Sequence, residues 1–244
     1  MDNASSAIVM FSGGQDSTTC LAWALARYDV VETVGFHYGQ RHAIEMEMRE
    51  PIRRRIAEQR PEWRARLGRD WVIPLETLGN VSVSALTSDL PFGKRDDGLP
   101  ATFVPGRNLV FFTFAAIVAH QRGLKRIVSG VCETDYSGYP DCRDNTVKAL
   151  QVAINLGMEA HLVLDTPLMW IDKAATWRLA EELGGPPLID LIREQTHSCY
   201  VGDRSHRHEW GYGCGACDAC TLRANGWTKY RQRDEHARVG EARA

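Results

Sequence analysis

The stretch Ala7-Ile8-Val9-Met10-Phe11, followed at once by Ser12-Gly13-Gly14-Gln15-Asp16-Ser17, decides how this chain is read. A short apolar run of this kind fits a fully buried strand. It delivers the backbone to a tight turn, where two glycines let main-chain N–H groups approach a ligand closely. Ser17, Thr18 and Thr19 then open an amphipathic helix whose positive end faces the turn, an arrangement suited to phosphate. Strand, Ser-Gly-Gly, an acidic residue, Ser and helix together are far more specific than a glycine pair alone. The lysine of the Walker A loop is missing, because the only Gly-Lys pair, Gly93-Lys94, continues into Arg95 and not into Ser or Thr.

Outward from this loop, apolar runs at 31–36, 71–75, 126–131 and 162–164 alternate with helical patterns. Strands spaced by crossover helices predict an α/β fold with a doubly wound, mostly parallel sheet, in which ligands gather beyond the carboxyl ends of the strands. The Ser12 loop lies at such an end. After Gly184-Gly185-Pro186-Pro187 the alternation stops and a cysteine-rich segment, 196–223, follows with little periodic apolar pattern. The expected organisation is a nucleotide-binding α/β domain at 1–187, a small metal-binding C-terminal subdomain at 188–228, and a charged tail at 229–244. The tail lacks an apolar face and reads as frayed helix or disorder.

With 244 residues, 44% hydrophobic and 25% charged, the composition is that of a soluble globular protein with no need of a membrane. No apolar run reaches membrane-spanning length. The first residues lack the basic start and apolar stretch of a secretory signal, so a cytoplasmic setting with reduced thiols is expected. A formal net charge of −2 gives no electrostatic footprint for nucleic acid and favours a small substrate.

Seven cysteines is an odd count for a disulfide framework. Cys214, Cys217 and Cys220 follow one another at two-residue spacing, with Cys199 upstream as a fourth donor. Such spacing lets thiolates from one tight turn reach a single metal, and four of them close a tetrahedral site with no open position for chemistry. Structural zinc is the first reading; an iron–sulfur cluster shares the spacing. His197, His206 and His208 could replace one ligand, though Cys199 makes that unnecessary.

Two cations sit where helix electrostatics would not place them. In Val104-Pro105-Gly106-Arg107-Asn108, Asn108 is expected to cap an apolar helix over 109–119, which sets Arg107 against a positive helix end. Asp172 is expected to cap the next helix, with Lys173 in its first turn. Both placements suit an anion; the plain alternative is that each side chain reaches into solvent. The strand-end run from Cys132 to Asp144 gathers Glu133, Asp135, Tyr139 and Asp141. A carboxylate there can accept adjacent N–H donors of a guanine-like base while tyrosines stack on its ring. Alternatively Asp141 or Asp144 caps the following helix. His37-Tyr38-Gly39-Gln40-Arg41-His42 either lines the same cleft or is structural, and Cys20 reads as a small core residue.

The loop resembles that of the ATP pyrophosphatase group, in which Ser12 and Ser17 would hold pyrophosphate and Asp16 would ligate or orient Mg²⁺. With 37–42, 103–108, 129–135, 138–144 and the cysteines added, nearly the whole chain resembles the 7-cyano-7-deazaguanine synthase family of queuosine biosynthesis. The resemblance implies an adenine nucleotide α-hydrolase-like fold and a homodimer. It implies an ATP-dependent carbon–nitrogen ligase converting 7-carboxy-7-deazaguanine and ammonia to the nitrile, through activated carboxylate and amide intermediates. ATP would lie on Phe11, Ser12, Gly13, Gly14, Gln15, Asp16, Ser17, Thr18, Thr19, Cys20 and Leu21. Asp16, Arg107 and Lys173 would be catalytic, Glu133, Asp135, Tyr139 and Asp141 would meet the substrate, and Cys199, Cys214, Cys217 and Cys220 would hold one zinc. The stretch 201–213 is longer than the family usually shows. Cleavage of ATP to AMP and pyrophosphate or to ADP and phosphate would each fit. Two other readings compete: a tRNA-thiolating enzyme, which would need a sulfur carrier such as Cys132 or Cys142 and a surface for RNA, and a zinc-ribbon binding module regulated by nucleotide.

Overall fold

The computed structural model describes residues 5–40, 44–134 and 138–241, with side chains through 232. In chain order the elements are β1 (Ser6–Met10), α1 (Gln15–Leu25), β2 (Val30–His37), α2 (Ile44–Gln59), α3 (Pro61–Arg66), β3 (Leu67–Pro74), α4 (Glu76–Val81), α5 (Arg107–Arg122), β4 (Arg126–Val128), α6 (Asp144–Met158), β5 (Val163–Asp165), α7 (Lys173–Gln195), β6 (Arg207–His208), β7 (Gly211–Tyr212) and α8 (Asp218–Glu241).

β1 through β5 form one parallel sheet in the order β3-β2-β1-β4-β5. All five apolar runs become strands. β3 begins at Leu67, ahead of its apolar run, because it is an edge strand whose Gly68, Arg69 and Asp70 give no continuous hydrophobic signal. Central β1 is buried at every residue, and its alternation divides the core in two. Ala7, Val9 and Phe11 pack with Leu21, Ile52, Ile56, Trp177 and Ile192 from α1, α2 and α7 on one face. Ile8 and Met10 pack with Phe112, Ala115, Val147 and Ile154 from α5 and α6 on the other. The strand order reverses between β1 and β4, so the crevice of a doubly wound sheet opens where the Ser12 loop leaves β1.

The long α7 contains Gly184-Gly185-Pro186-Pro187. Gly185 (φ 65°, ψ −163°) interrupts its helical path and the two prolines open the second half, where missing N–H groups cost little. Beyond it, Cys199, Cys217, Cys220, Trp210 and Trp227 belong to the same buried cluster as Leu21 and Trp177. The stretch 201–213 is not a loose loop: β6 and β7 pair antiparallel within it. Among the described residues no helix is long and apolar enough to cross a membrane.

The tail continues α8. Lys229 is followed by regular helix through Glu241, and Tyr230 is buried, 5.4 Å from the ring of Trp227 and 6.4 Å from that of Trp177. Trp227 and Tyr230, three apart, make a one-turn aromatic edge that a segment cut at 229 divides. Tyr230→Ala should therefore destabilise the protein to urea by about 3 kcal/mol. Exposed Lys229→Ala should change stability by no more than about 0.5 kcal/mol.

Candidate active site

β1 ends by anchoring the loop to its neighbour, the Phe11 N–H donating to Val34 O at 2.8 Å. Serines then set the turn. Gly14 N–H donates to Ser12 Oγ at 3.2 Å, Gly13 N–H to Ser17 Oγ at 3.2 Å, and the two hydroxyls are 3.1 Å apart. Gly13 has φ 98°, and a Cβ there would stand 2.2 Å from the Glu45 carbonyl oxygen, so only glycine fits. Gly14 begins α1 with no side-chain cap, leaving that helix start to a ligand.

Asp16, in the first turn of α1, receives Lys173 Nζ at 2.8 and 3.0 Å. Lys173 begins α7, whose N-cap Asp172 accepts the Ala175 N–H at 2.8 Å as expected. Arg107 begins α5. Its guanidinium donates to the Tyr38 hydroxyl at 3.3 Å and lies 5.7 Å from the ring centroids of both Tyr38 and Tyr139. Among the described residues its buried Nε has no partner, and neither has the buried Nε2 of Gln15. Unsatisfied donors beside an open helix end fit an anionic ligand.

Asn108 does not cap α5. Gly106, at φ 75°, occupies the cap position and the helix starts two residues earlier; the Asn108 N–H donates instead to Asp141 Oδ2 at 2.9 Å. An acidic side chain from a distant loop thus supplies the cap.

These residues surround one cavity of about 370 Å³. Of the residues singled out from sequence, Phe11, Ser12, Gly14, Gln15, Asp16, Ser17, Arg107, Asn108, Cys132, Tyr139, Cys142, Lys173 and Cys199 line it. Thr18, Thr19, Cys20 and Leu21 are fully buried behind the loop, and Gly13 turns away from the space. Asp141 is buried as the α5 cap. Glu133 is exposed and accepts the Asp144 N–H at 3.0 Å, at the start of α6. Neither lines the cavity, and Asp135 lies outside the described residues. From the 37–42 segment Tyr38 and Gln40 face the space, whereas His37 meets Glu76 at 3.4 Å; Arg41 and His42 are outside the described residues.

Two charged residues of the lining were not picked out from sequence. Glu45, in the first turn of α2, is pushed up to about 7 by burial, which Arg107 and the Ser12 hydroxyl partly offset while Asp16 adds to it. Arg223, in α8, is brought down to about 10 by burial, against the pull of Asp16. It donates to Trp210 O at 3.0 Å and Ile192 O at 2.9 Å. An acid in a first helical turn and an arginine just past a cysteine motif both look ordinary in sequence; only the fold turns them inward.

The sulfur atoms of Cys199, Cys214, Cys217 and Cys220 lie within 4.8 Å of one another, a set able to hold one metal ion. Cys214 and Cys220 are 3.9 Å apart, close to the edge of a thiolate tetrahedron. The Cys214 N–H points at Cys199 Sγ and the Cys217 N–H at Cys214 Sγ, both at 3.4 Å, the contacts that stabilise thiolates. His208 Nε2 is instead 2.9 Å from Gly213 O and His206 meets Asp203 at 2.6 Å, so neither joins the set.

The family described as queuosine biosynthesis protein QueC matches residues 6–231. The chain is 62% identical over 230 residues to the 7-cyano-7-deazaguanine synthase of Gluconobacter oxydans, covering 94% of this chain and 95% of that protein. The chain belongs to the 7-cyano-7-deazaguanine synthase family. A second member, from Azorhizobium caulinodans, is 62% identical over 237 residues, 97% of each chain. Membership makes the chain a synthase of queuosine biosynthesis, and neither the tRNA-thiolating nor the binding-module reading is favoured. A solved 4-thiouridine synthetase–RNA complex with bound ATP shares the fold, at a TM-score of 0.51 and 17% identity, over 91% of this chain and 53% of that one. The fold is the expected adenine nucleotide α-hydrolase-like one. In this synthase, Gly13→Ala should abolish measurable ATP binding by calorimetry, since the added methyl meets backbone that cannot yield.

Proposed function

We propose that the cavity binds ATP with Mg²⁺ beside 7-carboxy-7-deazaguanine and makes the nitrile in two activations. A carboxylate resists ammonia because its leaving group is poor. Transfer of an activating phosphate from ATP remedies this, ammonia then gives the amide, and activation of the amide oxygen lets it depart to leave the nitrile. In each round Arg107 and Lys173 stabilise charge on the departing phosphate. Asp16 is the carboxylate for Mg²⁺, whose preference is for oxygen ligands and whose contribution is charge neutralisation on phosphate. The Phe11 to Leu21 segment holds the nucleotide. Of the residues expected to meet the substrate, Tyr139 lines the cavity and faces the deazaguanine ring.

The observation that carries this reading is the convergence of the open loop, the Asp16–Lys173 pair and the unpartnered Arg107 Nε on one cavity. The four cysteines hold zinc in a closed structural site, in a subdomain beginning after Pro187. The protein acts in the cytoplasm on small molecules. It works as a homodimer; Leu109 and Ile117 on α5 and Val152 and Leu156 on α6 are exposed apolar residues for a second copy to cover.

Incubation with ATP, Mg²⁺, ammonia and the carboxylic acid should give the nitrile mass, while Asp16→Asn and Lys173→Ala, shown folded by circular dichroism, should lose at least about 100-fold in rate. Full activity in either variant would overturn its role. Metal analysis should find one zinc per chain, and Cys217→Ser should lose it and melt several degrees lower.

A further inference from the structure

Near neutral pH ammonia exists almost entirely as ammonium, which has no lone pair with which to attack a carbon. An enzyme that joins it to a carboxyl group is helped by a side chain that attracts the cation and takes its proton. Among the described residues lining the cavity there is no histidine, and Asp16 and Glu45 are the only carboxylates. Asp16 is held through both oxygens by Lys173. Glu45 is the remaining candidate.

Its position is built. One turn along α2, Arg49 is 2% exposed, donates to Asp70 and to Trp71 O on β3, and lies 5.1 Å from the Phe11 ring. That arginine pins the start of α2 over the phosphate loop. The Glu45 carbonyl fills the space a Cβ on Gly13 would need, and its Oε1 comes within 3.4 Å of where a Cβ on Gly14 would stand. The Ser12 hydroxyl favours the ionised carboxylate, and the charged or titratable groups facing it among the described residues are Arg107 from α5, Asp16 from α1, Arg223 from α8 and the Tyr38 hydroxyl beyond β2. Burial keeps its proton affinity near neutrality, where a carboxyl group can both accept and release a proton.

We propose that Glu45 is the ammonium acceptor of this enzyme: its carboxylate binds NH₄⁺ beside the phosphate loop, takes one proton and releases NH₃ toward the activated carboxyl carbon. The assignment rests on the nitrile-forming reading above. The nitrogen lone pair forms the C–N bond, and the bond from that carbon to the activating phosphate oxygen breaks with its electron pair on the phosphate. The nitrogen's surplus proton passes to the departing phosphate, leaving the neutral amide. Glu45 then returns its own proton to water.

The test compares wild type with Glu45→Gln using ammonia and, separately, hydroxylamine, which is uncharged at pH 7 and needs no proton removed before it attacks. Glu45→Gln should bind ATP within about threefold of wild type and make hydroxamate within about threefold, yet lose about 100-fold in amide and nitrile formation from ammonia. Wild-type rates with ammonia would overturn the assignment. So would a parallel loss with both nucleophiles or a loss of ATP affinity, which would make Glu45 part of the nucleotide cradle. If wild type makes neither amide, nitrile nor hydroxamate, the nitrile-forming reading fails, and the Glu45 assignment falls with it.

Discussion

The cleft is organised by one ion pair, Lys173 on Asp16, at 2.8 and 3.0 Å. Asp16 belongs to the helix that leaves the phosphate loop, and Lys173 starts a helix that follows the edge strand β5 and packs on the same face of the sheet. The lysine stem passes over Gly226 of α8, where a Cβ would stand 2.7 Å from Lys173 Cβ and Cγ. Three helices therefore meet at a single contact, and Gly226 is what lets the third come close enough. On the other side, a Cβ on Gly130, after β4, would come 3.1 Å from Asp16 Cβ. The carboxylate sits at the switch point of the sheet with little freedom to wander.

The same contact links the cysteine segment to the cleft. Cys199, Cys217 and Cys220 pack in the core cluster that contains Leu21, Leu191 and Trp177, while Ser198, Cys199, Tyr200, Ala219, Leu222 and Arg223 form one wall of the cavity. Arg223 is the tie between them. Its side chain satisfies carbonyls on either side of the segment, Ile192 at the end of α7 and Trp210 in the hairpin, and lies 5.6 Å from the Trp177 ring. A metal closing the four thiolates would thus act on chemistry through position, holding this wall in place without touching the reacting atoms.

The fold was readable because central parallel strands are buried on both faces and appear as short apolar runs, and because the phosphate loop is a local feature. What escaped depends on contacts between distant residues. The Asn108 error arose because the carboxylate serving α5 comes from Asp141, on another loop. The anchor of the segment beyond Lys229 was not legible because Tyr230 buries itself against Trp177 on a different helix. Glu45 reads as a commonplace acid complementing a helix dipole, and its inward placement follows from two glycines thirty residues earlier that leave room for it. Glu133 and Asp141 were legible as a cluster, but backbone N–H groups at helix starts engage both of them outside the cavity lining.

The Asp16–Lys173 pair is part-buried, with side-chain exposures of 32% and 13%, and a pair so placed often contributes little net stability. The Asp16–Lys173 pair makes better sense as a preorganised exchange site. Each partner neutralises the other while the cleft is open. When a phosphate with its cation enters, Asp16 can turn to the cation and Lys173 to a phosphate oxygen, so the opposite charges are repartnered at little extra desolvation. Arg107 differs in kind. It lies between two tyrosine rings with Nε unpartnered and has no salt-bridge partner among the described residues, so its charge remains available to the ligand. In the two-activation reaction proposed above, the pair would reset after each phosphate leaves, and Arg107 would stay in place for the next.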